Sequence, residues 1–230
     1  MLNLRPVFLV VICFFCVASY ATETVTLQLK WKHQFQFAGY YAALSQGYYQ
    51  DAGLKVLIKE AQPDQDPIES VISGDAEYGV GTSELLLLYH QKQPVTVLAV
   101  IFQHSPLALL VPKQIDDGSN VFIETPHIQD LQNRPLMIEP NSAELFAYMA
   151  LEGLTRDGLN IVSHDFDIDD VVQGKVFGMS VYTTDEPFQF EQLGVPYNLF
   201  TPAMGGIDFY GDNLFTTHSE LKAHPKRAKA

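Results

Sequence analysis

The chain of 230 residues is long enough for one large domain or for two lobes of about 100 residues each. Hydrophobic residues make up 47% of the chain and charged residues 18%, which excludes a largely disordered protein. The formal net charge of −13 repels a phosphate backbone, so we expect no nucleic-acid partner. The composition fits an acidic globular protein whose partner is a small molecule.

The N-terminus has the pattern of a secretory signal peptide. Arg5 precedes an apolar stretch at residues 6–17, and the small residues Ser19 and Ala21 follow at the spacing of a cleavage site. We expect cleavage to leave residues 22–230 as a periplasmic or secreted protein. An uncleaved signal that tethers the protein to the membrane is the alternative, because the apolar stretch is close to spanning length.

Residues 22–110, the predicted lobe I, alternate between strand and helix patterns. Strands are indicated where apolar and polar residues alternate, and helices where apolar residues recur every three or four positions. In chain order the predicted elements are a strand at 25–30, a helix at 37–46, a strand at 54–60, a helix at 67–74, a strand at 78–80, a helix at 83–91 and a strand at 95–102. This order is typical of an α/β lobe with a largely parallel sheet.

Residues 111–210, the predicted lobe II, repeat the alternation after a strand at 107–111 and a polar loop at 112–125. The predicted elements are a strand at 136–138, a helix at 142–151, a short strand at 162, a helix at 169–173, a strand at 176–181, a helix at 185–192 and a strand at 197–200. Two successive α/β lobes predict a ligand cleft between them. Residues 211–230 are predicted to return toward lobe I, with a final helix that has almost no apolar face.

A glycine-containing turn in lobe I joins a predicted strand to a predicted helix. It is neither a dinucleotide fingerprint nor a nucleophile elbow, because the closing glycine of both motifs is missing. The amides and hydroxyls of Gly81, Thr82 and Ser83 suit a polar ligand group, with a plain helix cap as the alternative. A similar turn occurs at Asn141 and Ser142 in lobe II, and Ser142 resembles a helix cap. With one such turn in each lobe, we expect the two turns to face each other across the cleft.

Aromatic residues crowd the connection between the first strand and the first helix. Trp31, at the carboxyl end of that strand, is placed to stack on a planar ligand, and Tyr40 in the helix is a second candidate contact; core packing accounts for some of these aromatic residues. Glu186 occupies the corresponding edge of lobe II. Its carboxylate is suited to accept a hydrogen bond from a ligand amine or amidine, and a helix N-terminal acid is the alternative.

The sequence predicts no metal site and no cofactor. The seven histidines lack the spacing of metal ligands. The acidic run at 165–170 lacks the glycine and the terminal acid of a calcium loop, so a solvated acidic helix start is the better interpretation. Cys13 and Cys16, the two cysteines of the chain, both lie in the predicted signal peptide.

Several segments together resemble one known family. They lie at residues 29–31, 37–43, 47–49, 52–54, 79–83 and 208–217. They resemble the thiamine-pyrimidine-synthase-like periplasmic binding proteins, a family that includes receptors for thiamine pyrimidine precursors and for sulfonates. Similar domains form the sensor portion of some membrane signalling proteins. The resemblance implies an α/β, two-lobe type II periplasmic-binding-protein fold with a ligand cleft between the lobes and hinge closure.

The resemblance also implies a function and roles for individual residues. Trp31 is expected to form one wall of the pocket, Glu186 to hold a pyrimidine amino group, and Asn141 to lie near the far end of the ligand. The candidate ligand-binding residues are Trp31, Tyr40, Gly81, Thr82, Ser83, Asn141 and Glu186. We expect a monomer that closes around a small heteroaromatic solute and delivers it to an ABC permease or reports it to a membrane signalling domain.

Two alternatives stay open. The family's eukaryotic enzymes synthesise the pyrimidine with a lysine that carries pyridoxal phosphate, a sacrificial histidine and a cysteine-rich iron motif. The chain has no lysine at 79–83 and no cysteine after Cys16, so we expect binding, with pyrimidine synthesis as one alternative. The family also continues beyond a segment like residues 224–227. The resemblance therefore implies that helices completing lobe I are missing, and a nonfunctional fragment of a receptor or sensor is the other alternative.

Overall fold

The computed structural model describes residues 22–63, 65–115, 122–123, 127–165 and 167–230. The predicted signal peptide lies outside these residues, as does most of the predicted boundary loop at 112–125. No helix in the described ranges is both long enough and apolar enough to cross a bilayer.

The strands of the described residues form two mixed sheets and one short hairpin, β6 with β7. In chain order they are β1 (Glu23–Gln28), β2 (Leu54–Lys59), β3 (Tyr78–Gly81), β4 (Val95–Val100), β5 (Leu107–Pro112), β6 (Gln114–Ile115), β7 (Phe122–Ile123), β8 (Pro135–Met137), β9 (Asn160–Val162), β10 (Gly178–Tyr182), β11 (Tyr197–Phe200) and β12 (Asn213–Thr217). The alternation in the first two predicted strands is confirmed, since Val25, Leu27, Leu54 and Val56 are all buried.

Short helices pack on both sheets. They are α1 (Ala38–Ser45), α2 (Tyr48–Asp51), α3 (Pro67–Ile72), α4 (Glu84–His90), α5 (Ala143–Leu151), α6 (Asp169–Val172), α7 (Glu186–Gln192) and α8 (His218–Ala223). The start of α3 shows how local sequence fixes a helix end. Asp66 accepts a hydrogen bond from the Ile68 amide at 2.8 Å, and Pro67 occupies the first turn, where no amide hydrogen is needed.

The two sheets have the same strand plan. Lobe I has the order β2-β1-β3-β12-β4, and lobe II, read from its far edge, has the order β9-β8-β10-β5-β11. In each sheet the first three strands are parallel, and the fourth is antiparallel to both of its neighbours. The predicted two-lobe α/β fold is confirmed, and each sheet is parallel except at its fourth strand, which the chain supplies by crossing over from the other lobe.

Two segments at 101–106 and 201–212 connect the lobes, and they lie side by side. The Gly211 amide donates to the Phe102 carbonyl at 2.9 Å, so the two crossings are hydrogen-bonded to each other. Such paired connections form a hinge, because relative motion of the lobes requires change only in these segments. The chain leaves the first sheet at 101–106, whereas the predicted boundary at residue 110 lies inside β5 of lobe II.

Four strands or α-helices of the described residues were not predicted: the strands β6 and β7, which lie in the predicted loop at 112–125, the strand β12 and the helix α2. The strand β12 was missed because Asn213–Thr217 shows no clear alternation, and pairing with β3 and β4 on either side defines it. The helix α2 was predicted as a turn, and four residues are too few to show helical periodicity. Gly47, with a φ of 79°, ends α1 and allows α2 to begin at once.

Lobe II encloses the more continuously buried of the two sheets. The strand β5 is buried from Leu107 to Val111. Its close approach to β10 requires a glycine, because a Cβ at Gly178 would lie 2.7 Å from the Leu110 carbonyl oxygen. This packing holds the start of β10 against β5, and the strand then runs to Tyr182 in the cleft.

Candidate functional site

The interlobe cleft is formed by residues that follow strands β1, β3, β8 and β10. Lys30, Thr82 and Glu139 come just after three of these strands, and Tyr182 ends the fourth. In open α/β sheets, ligands bind outside the carboxyl ends of the strands. The cleft therefore lies where the fold would place a ligand site.

A buried ion pair joins the lobes at the centre of the cleft. The Lys30 ammonium donates to the two carboxylate oxygens of Glu139, at 3.1 and 3.2 Å, and to the Tyr182 hydroxyl at 2.8 Å. The ammonium also lies 4.1 Å from the centroid of the Tyr182 ring. Burial raises the pKa of Glu139, and the neighbouring Lys30 opposes that rise. Removing these two charged groups from water costs free energy, and the hydrogen bonds of Lys30 to Glu139 and Tyr182 offset that cost.

Two further carboxyl groups extend this network. The Tyr182 hydroxyl donates to Asp212 at 2.7 Å, and the Ser105 hydroxyl donates to Glu144. Burial raises the pKa of both carboxyl groups, although Lys30 opposes the rise in each case. Burial also raises the pKa of the Tyr182 hydroxyl well above its usual value, so that this group stays protonated and can donate.

The two predicted turns meet across the cleft. The Thr82 hydroxyl donates to the Asn141 carbonyl at 2.8 Å, and the Asn141 side-chain amide donates to Asp66 at 3.0 Å. Asn141 has a φ of 63°, a left-handed conformation that asparagine tolerates well. Ser142 is the N-cap residue of α5, as predicted, but its hydroxyl makes no cap bond and donates backward to the Glu139 carbonyl at 2.9 Å.

Ser83 and Gly81 belong to the lobe I turn. Ser83 makes no side-chain cap bond to α4, and its buried hydroxyl has no hydrogen-bond partner among the described residues. The Thr82 hydroxyl accepts a weak bond from the Glu84 amide at 3.3 Å, in the place that a cap would take. Gly81 lines a small cavity of the cleft, together with Lys30 and Thr82.

Trp31 is buried in the cleft against a residue of the other lobe. Its ring meets the His164 ring edge-on, with the centroids 4.8 Å apart. His164 is itself buried and lies 3.2 Å from the Ser180 carbonyl through Nε2. Burial lowers its pKa to about 4, so the ring is neutral near pH 7. Trp31 therefore forms part of a neutral aromatic contact between the lobes.

Glu186 is buried at the start of α7. Its carboxylate accepts a hydrogen bond from the Tyr182 amide at 2.8 Å. Burial raises its pKa to about 7, while the amides of Tyr182 and of Glu186 itself oppose the rise. Glu186 is therefore a helix N-terminal acid, and it also lines a cavity of the cleft beside Lys30 and Trp31. Its role toward a ligand amine stays a prediction.

Tyr40 lies within electrostatic reach of the cleft, because burial and then the Asp212 carboxyl group raise the pKa of its hydroxyl. This hydroxyl is buried without a hydrogen-bond partner among the described residues. The ring lines a cavity of about 100 Å³ together with Val25, Leu27 and Tyr49. Tyr40 is not one of the described residues that line the two cavities of the cleft.

The cleft is closed in this conformation. Its two cavities, one beside Gly81 and one beside Trp31, measure about 10 Å³ each, roughly the room for one water molecule. Pockets for drug-sized ligands measure on the order of 300 to 1,000 Å³. A heteroaromatic ligand therefore enters only when the lobes move apart about the hinge.

A larger cavity lies outside the cleft, on lobe I. This lobe I groove has a volume of about 570 Å³. Its most exposed apolar lining residues are Leu86, Tyr89, Val97, Val100, Phe209 and Tyr210. It is open and apolar, and Thr82 and Ser83 separate it from the cleft.

Two aspartates of the acidic run at 165–170 accept hydrogen bonds from the backbone amides two positions later. The Asp167 amide donates to Asp165 and the Asp169 amide donates to Asp167, each at 3.0 Å, while Lys175 pairs with Asp170 at 2.7 Å. Within the part of the chain that the structure describes, no three acidic, histidine or cysteine side chains are placed to hold a metal ion.

Sequence reasoning missed the most buried charges of the cleft. Lys30, Glu139, Tyr182 and Asp212 were not among the candidate residues, and no lysine was expected near the pocket. Lys30, Glu139 and Tyr182 follow or end predicted strands. The rule that ligands bind at the carboxyl ends of strands could therefore have identified these three residues. The contact between Lys30 and Glu139 could not be predicted from the sequence, because the two residues are 109 positions apart.

Comparison with known proteins agrees with this architecture. The NMT1/THI5-like family model matches residues 34–230. The riboflavin-binding protein RibY of Chloroflexus aurantiacus is 25% identical over 193 residues, which are 79% of this chain and 52% of RibY. The chain thus spans about half the length of this curated relative.

Solved structures share the fold at low sequence identity. A protein from Bordetella bronchiseptica RB50 matches with a TM-score of 0.73 and 17% identity, over 90% of this chain and 67% of that one. The alkanesulfonate-binding protein SsuA from Xanthomonas axonopodis pv. citri, bound to MOPS, matches with a TM-score of 0.59 and 14% identity, over 90% and 69% of the two chains. These similarities confirm the predicted periplasmic-binding-protein fold.

Proposed function

Since this chain belongs to the NMT1/THI5-like family, we propose that it is a solute-binding protein that closes its lobes around a small heteroaromatic ligand, with a thiamine pyrimidine precursor as the first candidate. We further propose that it works outside the cytoplasm and passes its ligand to an ABC permease. Opening and closing of the lobes about the hinge is the binding step.

One observation carries the proposal: Trp31 and Glu186 line the same cavity from opposite lobes. An indole face stacks well on a planar ring, and a carboxylate accepts hydrogen bonds from a ring amino group. A ligand that touches both residues is bound best when the lobes are closed. Binding energy of this kind favours closure over the open state.

Calorimetric titration of the protein tests the proposal. We expect heat on titration with aminopyrimidines related to the pyrimidine of thiamine. A folded protein that gives no heat with any aminopyrimidine would contradict it. Small-angle scattering with and without the ligand measures closure, and we expect the radius of gyration to fall on binding.

Trp31→Ala tests the stacking contact. We expect affinity to fall by about 1 to 3 kcal/mol, since the variant loses the buried ring face. Tyr48→Ala, at an exposed aromatic residue of α2, is the matched control and should bind as the wild type does. Equal affinity in the Trp31 variant and the control would remove Trp31 from the proposed pocket.

A further inference from the structure

The interlobe cleft holds an excess of buried carboxyl groups. Glu139, Glu144, Glu186 and Asp212 are each at most 4% exposed, and in the described part of the chain the one buried lysine or arginine beside them is Lys30. The nearby His164 adds no positive charge near pH 7, since burial lowers its pKa to about 4. Carboxyl groups therefore outnumber positively charged groups in the cleft, four to one among the described residues.

All three hydrogens of the Lys30 ammonium group are donated to two partner residues. Its three hydrogen bonds go to the two oxygens of Glu139 and to the Tyr182 hydroxyl. An ammonium has three hydrogens to donate, so none is left for Asp212 or Glu144. Those two carboxyl groups have no direct cationic partner among the described residues.

Asp212 has a buried oxygen without a donor, and Glu144 has one that only the Ser83 hydroxyl approaches. In each carboxyl group one oxygen accepts a hydroxyl, from Tyr182 or from Ser105. Oδ2 of Asp212 lacks a hydrogen-bond partner among the described residues, whereas Oε2 of Glu144 forms no regular hydrogen bond although the Ser83 hydroxyl lies close enough to lower the pKa of this carboxyl group. Asp212 is 1% exposed and Glu144 is 3% exposed. Burying a charged acceptor without a donor is costly, and a donor group on a bound solute would offset that cost.

Aromatic faces hold Lys30 in place. The Lys30 ammonium lies 4.1 Å from the ring centroid of Tyr182 and 5.8 Å from that of Trp31, and ring faces attract cations. Lys30 is therefore not free to receive an anionic solute. A sulfonate or carboxylate beside Asp212 and Glu144 would meet acidic groups, and like charges repel strongly in a poorly solvated site.

We propose that the cleft selects solutes with a positively charged group, a protonated amine or amidine, and rejects sulfonates and carboxylates. Asp212 and Glu144 receive the charged donor, while Lys30 and Glu139 stay paired. The inference rests on the proposed function, because it names the charge class of the solute. It also separates this chain from the alkanesulfonate-binding protein with which it shares a fold.

The test uses three aminopyrimidines that differ in one side group: an aminomethyl, a hydroxymethyl and a carboxylate. These are cationic, neutral and anionic at neutral pH. We expect the cation to bind at least about tenfold more tightly than the neutral compound, and the anion to give no heat. No binding by any of the three contradicts the proposed function itself. A neutral or anionic compound that binds as tightly as the cation overturns the charge selection alone.

Asp212→Asn assigns the selection to a residue. Asparagine keeps an acceptor for the Tyr182 hydroxyl and removes the charge. We expect the preference for the cation over the neutral compound to fall by about tenfold, with the neutral affinity unchanged. Asp208→Asn, at an exposed position of the same connecting segment, is the control and should keep the full preference.

Equal weakening of both compounds by Asp212→Asn would show a structural role and overturn the assignment. Thermal unfolding confirms that each variant is folded before it is titrated. If the Asp212 variant does not fold, Glu144→Gln takes its place under the same expectations, because its second oxygen is also buried and forms no regular hydrogen bond.

Discussion

Thr82 lies between two cavities of opposite character. On one side the interlobe cleft contains buried ionised groups, interlobe hydrogen bonds and cavities of about 10 Å³. On the other side the lobe I groove measures about 570 Å³ and is lined mostly by exposed apolar side chains. The surface of the larger cavity is mostly apolar, and its polar lining residues, Thr82, Ser83, Thr96, Asn213 and His218, include no carboxyl group, lysine or arginine. Convergent polar groups, and not volume, therefore identify the candidate ligand site.

The contrast predicts where substitutions change stability. Side chains of the cleft are buried, charged and paired, so a change to one of them leaves a partner unsatisfied. The exposed apolar side chains that line the groove are already in contact with water, so their truncation removes little buried area. Stability and its pH dependence should respond to the cleft and hardly respond to the groove.

Lys30→Met is expected to have the largest effect. It leaves Glu139 buried without its cation, and breaking one side of a buried pair costs about 3 to 5 kcal/mol. Urea unfolding measures the loss. The double variant Lys30→Met with Glu139→Gln should recover part of it, because no unpaired charge remains, and Lys32→Met at an exposed position is the control. A loss below about 1 kcal/mol in the single variant would show that the pair adds little to stability.

Glu186→Gln is expected to change the pH dependence of stability. The folded pKa of Glu186 is about 7 and its ordinary value is 4.5, so between these values the folded state binds more protons than the unfolded state. The Glu186 contribution to stability therefore falls as pH rises through this window, by about 2 to 3 kcal/mol between pH 5 and pH 8. His164 contributes in the opposite direction, because its folded pKa of about 4 lies below its ordinary value of 6.5, so the Glu186 effect is measured as the difference between variant and wild type. The variant lacks this fall and gains that amount relative to the wild type at pH 8.

Chemical unfolding at both pH values checks the Glu186 prediction. Glu191→Gln, at an exposed position of the same helix, should follow the wild-type profile. A Glu186 variant whose profile runs parallel to that of the wild type would mean that the buried carboxyl group has an ordinary pKa. The cleft would then lose one of the features that distinguish it from the groove.

More of the fold than of the candidate site could be predicted from the sequence. Apolar alternation located β1 and β2, and the turn at Thr82 was placed at a sheet edge because a strand precedes it and a helix follows. The strand β12 was not predicted, because its conformation depends on pairing with β3 and β4. Strands of that kind are set by long-range contacts that a local pattern does not contain.

The site shows the same division between local and long-range information. Trp31 and Glu186 were predicted one at a time, each from its position at a sheet edge. The contacts of Lys30 with Glu139 and Tyr182 join residues 109 and 152 positions apart. These groups come together only because the two lobes are closed on each other. No local pattern in the sequence predicts such a contact.

Thr82→Val is expected to have a moderate effect. Valine keeps the shape of threonine but removes the hydroxyl that donates to Asn141 across the cleft. Loss of one hydrogen bond of this kind costs about 1 kcal/mol. Thr183→Val, at an exposed position of lobe II, is the control for the substitution itself. Equal unfolding midpoints for the two variants would mean that the turns do not hold the lobes together.

Leu86→Ala is expected to have the smallest effect and tests the groove directly. Leu86 is 61% exposed, so its truncation should change the unfolding free energy by less than about 0.5 kcal/mol. The neighbouring Leu85 is 3% exposed, and Leu85→Ala should cost about 2 to 5 kcal/mol by leaving a cavity in lobe I. Because both residues lie on α4, helix propensity cancels in the comparison. A loss above about 1 kcal/mol for Leu86→Ala would mean that the groove is filled in solution, and the contrast with the cleft would then no longer hold.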